Sequence, residues 1–333
     1  MKFADFLPDR EEERLTPDSG LKPFVVKPYI AIARPEHWIK NVFMLFGTII
    51  ALVIYPRYFT VDTLGSILIG LAATCLIASS NYVLNEIIDA PRDAKHPEKR
   101  SRPVPRGLVS LPIAYFEWVV LACLGLFLAW MVNLPFFLSG LGLWVMGIIY
   151  NVPPIRSKEA PIVDVLSEAL NNPIRFLMGW YAVANLPFPP SAMIIAYWML
   201  GCFLMAAKRL AEYRELNNAG LAAAYRHSFS WYTEDRLVIS MIAYASGFMF
   251  FFAVVMTKYH PELILSAPFL IILMGYIAKL TFMPRSIVQH PERLLKQPVF
   301  VMYSLWCAAV LFVLSAISIP GIRTLLGLTG HAW

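Results

Sequence analysis

Nine continuous apolar blocks, near residues 39–56, 62–86, 110–132, 135–151, 162–183, 190–207, 237–257, 262–283 and 297–319, limit what this chain can fold into. A helix needs about 20 apolar residues to cross the hydrocarbon core of a bilayer, and each block is of that order. In lipid the backbone must satisfy its own hydrogen bonds, which leaves helices and closed barrels as the spanning forms. A barrel reads as short strands of alternating polarity, whereas these runs are unbroken. The expected fold class is therefore all-α, an integral membrane bundle of nine transmembrane helices. Composition agrees: the 333 residues are 58% hydrophobic and 15% charged, against about a quarter charged in soluble domains.

Lysine and arginine crowd alternate loops. Arg34 and Lys40 precede the first block, six basic residues lie between Arg92 and Arg106, and Arg156, Lys158, Lys208, Arg209, Arg214, Arg226 and Arg236 follow. Arg285, Arg293 and Lys296 come before the last block, while the intervening turns hold little beyond Arg57 and Lys258. The positive-inside rule puts the N-terminus and these loops in the cytoplasm of a cell whose plasma (inner) membrane holds the bundle, and an odd span count puts the C-terminus outside. Residues 1–28 are charged without an apolar core, so they are expected to be a mobile cytoplasmic tail rather than a signal peptide. Residues 29–320 would form the catalytic bundle and 321–333 a short non-cytoplasmic tail. Cys75, Cys123, Cys202 and Cys307 all lie inside apolar blocks without CxxC pairing, and are read as small buried hydrophobes.

Topology and anionic headgroups account for basic loops on their own. They do not account for acid among the bases, in Asn85-Glu86-Ile87-Ile88-Asp89-Ala90-Pro91-Arg92-Asp93 followed by Lys99-Arg100-Ser101-Arg102-Pro103. Asn85 and Asp89 are four apart and share a helix face, and Asp93 would continue it. Pro91 is expected to kink or end the helix there. Carboxylates at this spacing suit Mg²⁺, which is held by one or two carboxylates together with substrate phosphates. The competing reading is a solvated network in which Asp89 and Asp93 pair with Arg92, Arg100 and Arg102. In the fifth block Asp164, Glu168, Asn171 or Asn172, and Arg175 form one polar face, and ionisable residues within a span are candidate site residues. An internal Glu168–Arg175 salt bridge is the alternative.

The pattern Asn85-Glu86-x-x-Asp89-x-x-x-Asp93 with Lys99-x-x-Arg102-Pro103-x-x-x-Gly107 resembles the first signature of the UbiA prenyltransferase superfamily, with Glu86 where that family usually has Asp. Arg34-Pro35-x-x-Trp38-x-Lys40-Asn41 and His96-Pro97-x-Lys99-Arg100 resemble the branch that makes decaprenylphosphoryl-5-phosphoribose. Tyr150-Asn151-Val152-Pro153-Pro154 is similar to the superfamily's Tyr-Ser-x-Pro-Pro segment, and Arg156 and Lys158 after it are candidates for receiving phosphate. Prenyl-transferring relatives carry a second acidic motif after the sixth span. This chain has Lys208-Arg209-Leu210-Ala211-Glu212 there, similar to the Lys-Arg-x-x-Glu stretch of the phosphoribosyl-transferring branch. Two cations can bind phosphate directly where a metal would otherwise stand; the bland alternative is that they anchor a helix end.

The resemblance implies transfer of phosphoribose from phosphoribosyl pyrophosphate (PRPP) to a polyprenyl phosphate. Asn85, Asp89 and Asp93 would hold Mg²⁺, and Lys40, Lys99, Arg102, Arg156, Lys158, Arg175, Lys208, Arg209 and Glu212 would line the substrates. His37 and His96 take no role, and Tyr225 and Tyr232 would line the site or belt the interface. One rival is prenyl transfer from a prenyl diphosphate. Another is a transporter, disfavoured because no repeat joins the halves and the polar residues cluster at one face. Walker-type, hydrolase-elbow and zinc-protease motifs are absent, and no nucleic-acid partner is expected.

Overall fold

The computed structural model describes residues 25–94, 99–216, 227–289, 294 and 296–327. The expectations for residues 1–24, His96 and Tyr225 fall outside these described residues. The first apolar segment, Lys27–Ile54, is broken into α1 (Lys27–Ala33), a 3₁₀ stretch (Pro35–Phe43) and α2 (Met44–Ile54). Arg34 at the break adopts the left-handed conformation, with φ 51°. Then come α3 (Val61–Asp93), α4 (Leu111–Val132), α5 (Leu134–Asn151), α6 (Val163–Val183) and α7 (Ser191–Leu216). α8 (Glu234–Tyr259), α9 (Ala267–Thr281), α10 (Pro298–Ala316) and the short α11 (Pro320–Leu325) complete the order.

Each start has a local reason. The Thr60 and Thr233 hydroxyls accept from the N–H groups of Thr63 and Arg236 at the heads of α3 and α8. Asn133 caps α5 and is the single residue turning the chain between α4 and α5. Pro91 does not end α3: the helix runs to Asp93, and the Ala94 N–H still donates to the Ala90 carbonyl at 3.0 Å. A proline that close to a helix end removes one bond where few remain to be lost. At the other terminus, α11 occupies the start of what the sequence suggests as a tail.

All nine apolar blocks become helical, but among the described residues only eight segments are long and apolar enough to cross a membrane. α6 is the exception. At 21 residues it extends about 30 Å, yet Asp164, Glu168 and Arg175 set it apart. It can carry them because it is enclosed, packing against α2, α3, α5 and α7. Its first half joins one apolar core, through Val165 and Ala169 beside Phe203, Leu210, Leu237 and Ile277. Its second half joins another, through Phe176 and Trp180 beside Met44, Ile77, Phe136 and Leu143. Cys202 and Cys307 are buried as expected, whereas Cys123 is exposed on α4.

α2 and α6 meet backbone to backbone. A Cβ built on Gly179 would lie 1.8 Å from the Met44 carbonyl oxygen, and one on Gly47 2.0 Å from that of Phe176. The Thr48 hydroxyl donates to the Gly179 carbonyl across the seam at 3.0 Å. Small residues permit such approach between helices in lipid. The seam fixes the 3₁₀ stretch, one turn before Gly47, against the middle of α6. Gly179→Ala is expected to lower the melting temperature in detergent by several degrees or abolish folding. Gly142→Ala, on α5 with nothing within 4 Å of a new Cβ, should leave the melt unchanged; equal melts for the two variants would contradict this packing.

Candidate active site

The polar groups meet at the end of the bundle where α3, α5 and α7 finish and α6 begins. Asn85 and Asp89, one turn apart on α3, aim at the same atom. The Lys158 ammonium lies 3.1 Å from Asn85 Oδ1, 2.6 and 2.7 Å from the two Asp89 oxygens, and 2.9 Å from Asn151 Oδ1. It is buried, and it donates to oxygens from two helices. Arg156 Nη2 adds a bond to Asp89 Oδ1 at 2.9 Å. To reach it, Arg156 takes a left-handed backbone, φ 33°, a conformation that is strained for any residue but glycine and concentrates at functional sites.

Glu159 closes this cluster, ion-paired with both Arg92 and Arg156, although the Arg156 Nε–H is not well directed at it. Burial pushes the Glu159 carboxyl up, but the Arg92 hydrogen bond and the Arg156 and Arg92 charges outweigh it and hold the group below its ordinary value. Asp93 stands apart from the convergence on Lys158, accepting from Arg102 Nη1 at 2.5 Å. Glu86 is buried and receives Arg34 Nη2 at 3.1 Å and the Val104 N–H at 3.3 Å, so it ties the loop after α3 to the first segment. Lys40 and Lys99 are half-buried.

A second cluster surrounds Arg209, whose side chain is 1% exposed. Its Nε donates to Asp164 at 3.1 Å, Nη2 to Glu168 at 2.7 Å and Nη1 to Glu212 at 3.0 Å. All three nitrogens of the guanidinium, the group whose sequence position suggests direct phosphate binding, donate to carboxylates. Lys208 is half-buried and makes no hydrogen bond or ion pair among the described residues. Tyr232 belongs here rather than at the interface, donating to Asp164 at 2.7 Å while accepting from the Ile162 N–H at 2.7 Å. Burial, then the neighbouring Asp164 charge, pushes its hydroxyl well above the ordinary value, so it stays a donor. Tyr150 bridges the clusters: its hydroxyl donates to Glu168 at 2.7 Å and its ring centroid lies 6.0 Å from Lys158 Nζ.

The Glu168–Arg175 pair does not form. Arg175 Nε donates instead to Asn41 Oδ1 at 3.0 Å, and Nη1 to the Asn171 carbonyl at 3.4 Å. Sequence reasoning missed Asn151 as a site residue, although it stands in the quoted Tyr150-Asn151 segment. It also missed Asn41 as the partner of Arg175.

Among the described residues no three His, Cys, Asp or Glu side chains gather as a metal site. The oxygens of Asn85, Asp89 and Asn151 nevertheless converge on one positive atom, a donor set of the hard kind that Mg²⁺ takes when phosphates supply its remaining ligands. The chain's residues therefore fit one such ion.

Arg209→Ala would leave three carboxylates uncompensated, at a cost of about 3–5 kcal/mol. It should show as a lower melting temperature that a further Glu168→Gln and Glu212→Gln pair partly restores, while Lys208→Ala leaves the melt unchanged. Restoration absent, with full stability of Arg209→Ala, would contradict the buried network.

Residues 42–286 match the UbiA prenyltransferase family. The decaprenyl-phosphate phosphoribosyltransferase of Mycobacterium tuberculosis is 31% identical over 222 residues, 66% of this chain and 70% of that protein. Its counterpart from Mycolicibacterium smegmatis is 28% identical over 229 residues, 68% and 69% of the two chains. In fold the chain is similar to a UbiA homologue from Archaeoglobus fulgidus solved with GPP and Mg²⁺, with a TM-score of 0.64, 19% identity and coverage of 87% of this chain and all of that one. An enclosed polar helix, a set of oxygens converging at the end of α3, and a family match across most of the bundle agree: the chain belongs to the UbiA prenyltransferase family.

Proposed function

We propose that the chain transfers 5-phosphoribose from PRPP to a polyprenyl phosphate and releases pyrophosphate. The observation that carries this reading is Arg209. Where prenyl-transferring relatives carry a second acidic motif, this chain places a guanidinium that holds Asp164, Glu168 and Glu212 around itself. The name that the two relatives from M. tuberculosis and M. smegmatis share, decaprenyl-phosphate phosphoribosyltransferase, supports transfer of the same group.

In this reading Asn85, Asp89 and, once released from Arg102, Asp93 would hold Mg²⁺, whose charge would offset that of the pyrophosphate. The Lys158 ammonium itself occupies the point where those oxygens converge, with Arg156 beside it, and both would exchange part of their contact with Asp89 for phosphate oxygens. Lys40, Lys99, Arg102 and Lys208 supply further positive charge around the donor. The bond between the anomeric carbon and pyrophosphate breaks with its electron pair leaving on pyrophosphate. A lipid phosphate oxygen forms the new bond. Positive charge develops on the sugar and negative charge on the leaving group, and groups fixed in advance stabilise both without reorganising. Glu168, the most exposed of the three carboxylates on Arg209 at 28%, would steady the sugar. The lipid phosphate is already anionic near neutral pH, so it needs orientation rather than a general base. The site lies at the end where the basic loops gather, which the positive-inside rule assigns to the cytoplasm, with nine helices spanning if α6 is counted.

Purified protein in detergent with Mg²⁺, ribose-labelled PRPP and a polyprenyl monophosphate should move label into the organic phase, and Asp89→Asn should lower that rate by about 100-fold or more. Undiminished transfer by a folded Asp89→Asn protein would remove Asp89 from the metal role. Absence of transfer by the unaltered protein would reject the reaction.

A further inference from the structure

Arg175 lies seven residues along α6 from Glu168, about 10 Å deeper into the bundle, and about 16 Å from Asp164. Among the described residues it meets no carboxylate. Two of its nitrogens are used by Asn41 and the Asn171 carbonyl, and Nη2 makes no bond. The groups around it are Tyr82, Tyr197 and Cys75, all neutral when protonated. Glu168, the acid nearest along the helix, is committed to Tyr150 and Arg209. A guanidinium inside a bundle without a counter-charge is costly, and such charges mark ligand positions.

The residue is also held in place. Asn41 is buried, fixed by a bond from its amide to Cys75 Sγ at 3.3 Å, and set against α6 by the Gly47–Gly179 seam. From Arg175 an aromatic wall leads outward. Tyr197 stacks on Phe46 with ring centroids 5.3 Å apart, and Phe46, on α2, is 42% exposed. An isoprenoid tail can follow such a wall to the bilayer.

We infer that Arg175, positioned by Asn41, binds a phosphate monoester within the bundle, deeper than the Asp89–Lys158 cluster. The assignment of that phosphate to a substrate rests on the reaction proposed above. The aromatic exit favours the lipid acceptor, and the 5-phosphate of the donor offers the same chemistry.

The test measures binding of a radiolabelled polyprenyl phosphate, the corresponding polyprenol and PRPP to the unaltered protein, Arg175→Gln and Asn41→Asp in detergent. Asn41→Asp keeps the guanidinium but gives it a counter-charge, so it should raise the melting temperature while weakening phosphate binding, an outcome that a purely structural Arg175 does not produce. Both variants should lose about 10- to 100-fold in affinity for the polyprenyl phosphate, the range of a charge-assisted hydrogen bond, with polyprenol binding unchanged. The same loss confined to PRPP would keep the site and assign it to the donor. Unchanged affinities in both variants, or no affinity of the unaltered protein for either phosphate, would overturn the inference. Loss of phosphate binding in the variants, with no label transfer by the unaltered protein, would keep the site and reject the reaction.

Discussion

An ionised side chain inside an apolar bundle must find an opposite charge, a set of dipoles or a ligand, because lipid offers none. α6 carries Asp164, Glu168 and Arg175, and the rest of the structure is arranged around that requirement. Four helices enclose it, so none of the three faces lipid alone. Arg209 reaches across from α7 to satisfy Asp164 and Glu168 and brings Glu212 with it. The glycine seam with α2 then delivers Asn41 to Arg175. A helix too polar to enter a membrane on its composition thus becomes the element from which the site is built.

The two clusters divide the chemistry. Near α3 the most buried of the ion-paired cations is the Lys158 ammonium, with Asn85, Asp89 and Asn151 as its oxygens. Near α7, three carboxylates share one guanidinium. A donor that separates into a pyrophosphate and an electron-poor sugar carbon matches that division, negative charge toward Lys158 and Arg156 and positive charge toward Glu168. Tyr150 stands between the halves, and its ring and hydroxyl touch one each. Positive φ at Arg34, Arg156 and Ile162 falls at this end of the molecule, so local strain lies beside the two polar clusters.

Much of this was legible in the sequence because hydrophobic length and charge placement are local properties. All nine apolar blocks became helices, and the Asn85–Asp89 spacing put both residues on one face. What the sequence could not supply was partnership. Nothing near Arg209 in the sequence reveals that Asp164 and Glu168 reach it from 45 and 41 residues away. The alternative reading of the α6 polar face, a Glu168–Arg175 pair, is not found: Glu168 meets Arg209 and Tyr150, and Arg175 meets Asn41. Asp93 continued the face of Asp89 in spacing, and Arg102 drew it aside. Pro91 read as a stop, and the helix ended only two residues later.

A site built around resident cations should take a sugar donor rather than a prenyl one. The most direct test gives the membrane-reconstituted protein PRPP and a prenyl diphosphate together, with a polyprenyl phosphate and a prenyl acceptor both present, and weighs the lipid products by mass spectrometry. A polyprenyl phosphate heavier by one phosphorylated pentose unit and no prenylated acceptor is the expected result. A prenylated product without the pentose adduct would contradict it.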